Sequence, residues 1–204
     1  VLEAAALWSP SAEAPVALEG DPAVLWVGRL IEGKDPLTAL DAVARASQDI
    51  PGVHLHLLAT DRAMESAVRA RVAADDALTG RVTVHDPVPP TEIDRWYRGV
   101  PVFLSTSRRE GSGYSLIEAL TCGCAPVVAA IPPHLAILDV ALPAVGGTFP
   151  AGDAAAAAAV LVQVAGRMHG SGEPIVNGGR SLLHWNGVAH QLVAAYRVVL
   201  PRDG

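Results

Sequence analysis

Two cysteines, 4% aromatic residues and no long apolar run set the first limits on this chain of 204 residues. Cys122 and Cys124 stand one residue apart, too close for an ordinary structural bridge. That excludes a disulfide framework and makes a reduced, cytoplasmic compartment the simplest setting. No apolar run reaches the roughly 18 residues that a spanning helix needs, and no basic-then-apolar leader opens the chain. Positive charge is also short: 15 Lys and Arg face 21 Asp and Glu, for a net charge of −6, which disfavours general nucleic-acid binding. The scarcity of aromatics, set against abundant Ala and Val, argues against an all-β sandwich and for closely packed helices on a sheet. The chain opens on Val1 rather than Met and reads as a processed protein or a piece of a longer one.

What is present is a chain half hydrophobic, long enough for one sizeable core. Short β-branched runs alternate with helical stretches. Strands are expected at Val24–Val27, Val53–Ala59, Arg81–His85, Val102–Ser105 and Val127–Ala129, with a weaker one near Leu142–Val145. Several are apolar on both alternating faces, as in a parallel strand covered on both sides. Helices are expected at Pro36–Ser47, which opens on a proline, at Arg62–Ala74, with Met64, Val68 and Val72 spaced by four, and at Thr91–Arg98, whose Thr-Glu-Ile-Asp start is close to a capping box. Tyr114–Cys122, Asp153–His169 and a last helix from about Asn186 to Leu200 complete the set. Gly166–Arg180 reads as a glycine-rich loop. Residues 1–21 read as a linker or the remnant of a preceding domain, and 22–204 as one domain. Strand and helix repeated in this order predict a Rossmann-like, doubly wound parallel α/β sheet of about six strands.

In such a sheet ligands bind beyond the carboxyl ends of the strands, so the residues following each strand matter most. After the first strand come Gly28, Arg29 and, five residues beyond Arg29, Lys34. These two cations beside glycines can converge on a polyanion, or simply be solvated. After the fourth strand, Glu110-Gly111-Ser112-Gly113-Tyr114 leads into a helix that carries Glu118. The glycines let backbone N–H groups approach a ligand, and the helix start favours an anion. Carboxylates beside an anion site make sense when they face sugar hydroxyls. That combination selects a molecule with a sugar, a diphosphate and a ribose in a row.

The segment from Glu110 through Glu118 to Val128 resembles the Glu-x7-Glu signature of retaining, nucleotide-sugar-dependent glycosyltransferases (group 1) built from two Rossmann-like domains, the GT-B fold. Val27-Gly28-Arg29-Leu30 with Lys34 is similar to that family's diphosphate loop. Ala125–Val128, Ile131–His134, Pro150–Asp153, Trp185 and Tyr196-Arg197 extend the likeness over roughly residues 22–200. The resemblance implies that Arg29 and Lys34 hold the donor diphosphate together with Gly28 and the Gly111–Tyr114 backbone. It also implies that Glu110 contacts the transferred sugar as the catalytic residue and that Glu118 accepts from the ribose; His134, by its place near the expected crevice, is a candidate donor contact. No metal and no cofactor beyond the nucleotide-sugar donor are implied. The partner implied is an N-terminal Rossmann-like acceptor domain, through which alone any membrane association would come. Ser112 where the family carries a bulky aromatic, Ala59-Thr60-Asp61 where it carries a glycine-rich turn, and Ala130 where relatives are often acidic are departures that bear on the choice of sugar.

Other residues have plainer readings. His54 and His56 share a strand face without a visible third metal ligand. His134 equally reads as a loop histidine capping a helix start. The cysteines, Trp26 and Trp96 read as packing residues. No Ser-His-Asp order or nucleophile elbow supports a hydrolase. A sugar-nucleotide epimerase of the same architecture, for which no acid/base residues stand out, and a non-catalytic nucleotide-sugar-binding module remain the alternatives.

Overall fold

The computed structural model describes residues 12–141, 143–171 and 183–199. Six parallel strands form one sheet: β1 (Ala23–Gly28), β2 (His54–Ala59), β3 (Val82–His85), β4 (Val102–Ser105), β5 (Ala125–Ala129) and β6 (Gly147–Phe149), in the order β3-β2-β1-β4-β5-β6. The helices are α1 (Pro36–Ala46), α2 (Glu65–Ala73), α3 (Ile93–Arg98), α4 (Tyr114–Cys122), α5 (Pro132–Ala141), α6 (Ala154–Ser171) and α7 (Trp185–Val199). This is the doubly wound α/β fold that the alternation of runs predicts.

Strand alternation sends successive side chains to opposite faces, and both faces are covered. Val24 and Trp26 of β1, Leu55 and Leu57 of β2, and Val102 and Leu104 of β4 pack with α1, α2 and α6. Leu25, Leu58, Phe103 and Val128 point the other way, into a second cluster with Tyr97 of α3, Leu116 and Leu120 of α4, Ile137 of α5 and Val188 of α7. Apolar residues on both faces of the central strands are what force the sheet inside and leave its ends for ligands.

Four local expectations need correction. The sixth strand is Gly147–Phe149, pairing with Val127–Ala129, and not the run near 142–145; Val145 is instead a core residue ahead of the strand, and Leu142 lies outside the described residues. The capping box at Thr91 does not form: α3 starts at Ile93, and no side chain caps it. Helix α6 runs through Gly166 to Ser171, because Val164 and Ala165 pack in the core and Met168 packs against it, overriding glycine's weak helix propensity. The rest of the expected glycine loop falls at 172–180, outside the described residues. Finally, Ile131-Pro132-Pro133-His134 opens the helix α5 rather than remaining a turn, with prolines in its first turn, where a missing N–H costs nothing.

The histidines of β2 bond and stack with neighbouring side chains. His56 donates from Nε2 to the Glu19 carbonyl at 2.8 Å, so its Nδ1 accepts from His85 Nε2 at 2.9 Å. His54 stacks on His56, and His85 meets Trp96 edge-on. Among the described residues no group of three His, Cys, Asp or Glu is placed to hold a metal ion. Burial is the main cause that lowers the pKa of all three rings, and the histidines add mutual repulsion in His54 and His85. In the unfolded chain these groups return to about their ordinary value of 6.5. The unfolded state therefore binds more protons below that value, and stability falls as pH drops through and below it. A melting series from about pH 7.5 to about pH 5 is expected to show this loss, with a shallower slope in His85→Gln. An identical slope in the variant would place the acid sensitivity elsewhere.

Candidate functional site

The strand order reverses direction between β1 and β4, so the crevice of the fold opens beyond Gly28 and Ser105. Both sequence-selected loops lie there. They are fastened in part through the Thr106 side chain: its hydroxyl accepts from Trp26 Nε1 at 3.2 Å and donates toward the backbone carbonyls of Asp35 (2.8 Å) and Lys34 (3.1 Å). The amide of Arg108 donates to the Gly33 carbonyl at 3.0 Å. Asp35, at a left-handed φ of 50°, caps α1 through Thr38 and accepts from Arg108 Nε at 2.8 Å. Asp35, Thr106 and Ser107 escaped the sequence reading. For Asp35 the signal was available, since an Asp directly before a proline is an N-cap pattern.

Lys34 and Glu110, 76 positions apart, form an ion pair through Glu110 Oε1. The Ser107 hydroxyl donates to the same oxygen at 2.7 Å. Glu110 Oε2 has no hydrogen-bond partner among the described residues. Arg29 is exposed and makes no ion pair among the described residues, as does Arg109. Arg29, Ile31, Gly33, Lys34, Arg109, Glu110 and Gly111 line one cleft of about 280 Å³. Gly28 adjoins it: a Cβ there would touch Lys34 Cδ at 3.8 Å.

Ser112 and Gly113 lead from the cleft to α4. Gly113 stands at φ +64° as the N-cap, and no side chain caps α4, so its first N–H groups remain open to an anion. Tyr114 is exposed. Glu118, one turn on and half-buried, is not in the cleft lining; Tyr97 of α3 donates to its Oε2 at 3.1 Å. Burial, then the Glu118 charge, pushes the Tyr97 pKa well above its usual value, so the phenol stays a donor. His134 is fully buried within α5, not in a loop, with Nδ1 2.8 Å from the Ala129 carbonyl. Cys124 is buried against the Tyr97 carbonyl, as a packing residue.

A family model described as glycosyl transferases group 1 matches residues 21–195. The D-inositol 3-phosphate glycosyltransferase of Xylanimonas cellulosilytica is 34% identical over 112 residues, covering 53% of this chain and 26% of the relative. The chain thus spans about a quarter of the length of that relative. Among solved structures, the lipopolysaccharide outer core galactosyltransferase WaaB superposes with a TM-score of 0.69 at 18% identity, over 96% of this chain and 55% of that one. The pneumococcal O-GlcNAc transferase GtfA, in complex with UDP and GlcNAc, gives 0.64 at 13% identity, over 96% and 37%. At such identities the two structures establish the fold alone. No helix among the described residues is long and apolar enough to cross a membrane.

Proposed function

Because the chain belongs to the glycosyl transferases group 1 family, we propose that it holds the donor of a glycosyl transfer, a nucleoside-diphosphate sugar, whose sugar passes to an acceptor with its anomeric configuration retained. The observation that carries this reading is the convergence at the switch point. Among the described residues, a cation without an ion pair and a Lys–Glu pair with one spare carboxylate oxygen line one cleft, and an uncapped helix start follows two residues after its lining residue Gly111.

The diphosphate is assigned to Arg29 and Lys34, with Gly28 and the backbone of Gly111, Ser112, Gly113 and Tyr114 beside it. Arg29 has no ion pair among the described residues to give up to an anion. Lys34 turns part of its charge from Glu110 to the phosphate, and Glu110 then offers its oxygens to sugar hydroxyls. As the bond from sugar to diphosphate lengthens, negative charge grows on the leaving phosphate. The two cations and the start of α4 stabilise that charge without a metal ion. Glu118, oriented by Tyr97, accepts from the ribose hydroxyls. Residues 22–204 form the donor domain and 1–21 its link to an N-terminal Rossmann-like domain that carries the acceptor; the setting is cytoplasmic.

The structural neighbour that carries UDP makes uridine diphosphate the first probe. In titration calorimetry, Arg29→Ala is expected to weaken UDP about tenfold or more while leaving uridine unchanged, since its partner is the phosphate. Glu118→Ala is expected to weaken both by about tenfold and to abolish any preference for UDP over its 2′-deoxy analogue. A chelator should leave UDP binding intact. Equal losses for uridine and UDP in Arg29→Ala would defeat the diphosphate assignment, and an undiminished ribose preference in Glu118→Ala would leave that residue a structural role only.

A further inference from the structure

His134 is fully buried in the first turn of α5, with Nδ1 2.8 Å from the Ala129 carbonyl oxygen. A carbonyl only accepts, so Nδ1 carries the proton of that bond, and the neutral ring presents a bare lone pair at Nε2. Nε2 is buried and has no hydrogen-bond partner among the described residues. Buried acceptors are seldom left so, because the water they lose is not replaced.

The ring edge lies against the start of α4, behind the residues that line the cleft. Cδ2, bonded to Nε2, lies 3.7 Å from where a Cβ on Gly113 would stand, at the uncapped start of α4. Three groups set the ring's protonation from the elements around it: Glu110 and the Ala129 carbonyl favour the charged form, while Lys34 opposes it. Burial outweighs them and pushes the pKa below its ordinary value, so the ring is neutral and Nε2 accepts.

A fully ionised phosphate has no proton to give, so the diphosphate cannot satisfy this atom. A sugar hydroxyl can. Resting on the donor-site reading above, we propose that His134 Nε2 accepts a hydrogen bond from a hydroxyl of the transferred sugar, which makes His134 a residue that reads the sugar and not the diphosphate. The built-in acceptor selects donors carrying a hydroxyl at that position over their deoxy or fluoro counterparts, because only the hydroxyl pairs the buried lone pair.

The test compares nucleotide with nucleotide sugar. UDP, GDP, UDP-glucose, UDP-N-acetylglucosamine and GDP-mannose are titrated into the wild-type chain, His134→Asn and His134→Gln. The Asn amide nitrogen can replace Nδ1 toward Ala129 but puts nothing at the Nε2 position; the Gln oxygen reaches that position. His134→Asn is expected to weaken the preferred nucleotide sugar about threefold to tenfold with its parent nucleotide unchanged, and His134→Gln to recover part of the loss. Equal changes for nucleotide and nucleotide sugar, or none, overturn the proposal. Should His134→Asn fail to fold, long-range proton–nitrogen NMR of the wild type decides instead. The Nε2 resonance must start as an unprotonated nitrogen and move only when the sugar is present; a protonated Nε2, or one blind to the sugar, overturns it equally. A wild-type chain that binds no nucleotide removes the donor-site reading and this proposal together, whereas binding without a sugar-dependent response removes this proposal alone.

Discussion

Lys34→Met is expected to lower the unfolding free energy by about 2–3 kcal/mol, the scale of breaking a largely buried ion pair at the edge of a cleft. The side chains of Lys34 and Glu110 are only 18% and 10% exposed, so this is not a screened surface contact. Methionine keeps the apolar stem and removes the charge, leaving Glu110 with the Ser107 hydroxyl as its remaining donor. The melting temperature should fall by roughly 4–12 °C for a chain of this size. Adding Glu110→Gln should return most of the lost stability, because the stranded negative charge disappears with it. Diphosphate binding should stay weak in both variants, since neither restores the cation. A double variant as unstable as Lys34→Met would show that the pair is not what stabilises the crevice. Urea and thermal unfolding read the first effect, and calorimetry with UDP reads the second.

Gly113→Ala is the other large effect, expected at about 2–3 kcal/mol from backbone strain at φ +64° together with overpacking. The new Cβ would stand 2.7 Å from Ile137 Cδ1. That contact gives a test by change of sign. In the wild type, Ile137→Val removes a buried methyl and is expected to destabilise by about 0.5–1.5 kcal/mol. In the Gly113→Ala background the same substitution removes the clashing atom and should be neutral or stabilising. A simple sum of the two losses would mean that strain alone, and not the clash, accounts for the requirement for glycine.

The central strands were legible because their β-branched runs coincide with residues buried on both faces; Val102–Ser105 agrees at both ends. The site loops were legible for a related reason, as the segments after β1 and β4 must meet wherever the strand order reverses. The strand β6 was not, since Gly147-Thr148-Phe149 has little β-branched character and exists by pairing with β5. The helix α5 was hidden by two prolines that suggest a turn in isolation. The pairing of Lys34 with Glu110 spans 76 positions, and nothing local announces it. Likewise, His134 was visible as a residue near the crevice, but its orphaned nitrogen depends on where the Ala129 carbonyl points.

The fastening of the two loops has a consequence for how such a site changes over generations. Thr106 binds carbonyl oxygens at 34 and 35, and the Arg108 amide binds the carbonyl of Gly33. Every residue brings the carbonyl acceptors, so of these fastenings only the one through the Thr106 hydroxyl depends on a side chain. Arg29, Glu32 and Arg109 are exposed and Ser112 is half-exposed, all off those fastenings, and each can be exchanged while the crevice keeps its shape. A lineage can therefore vary the side chains along the crevice one substitution at a time, on a frame that those substitutions leave in place.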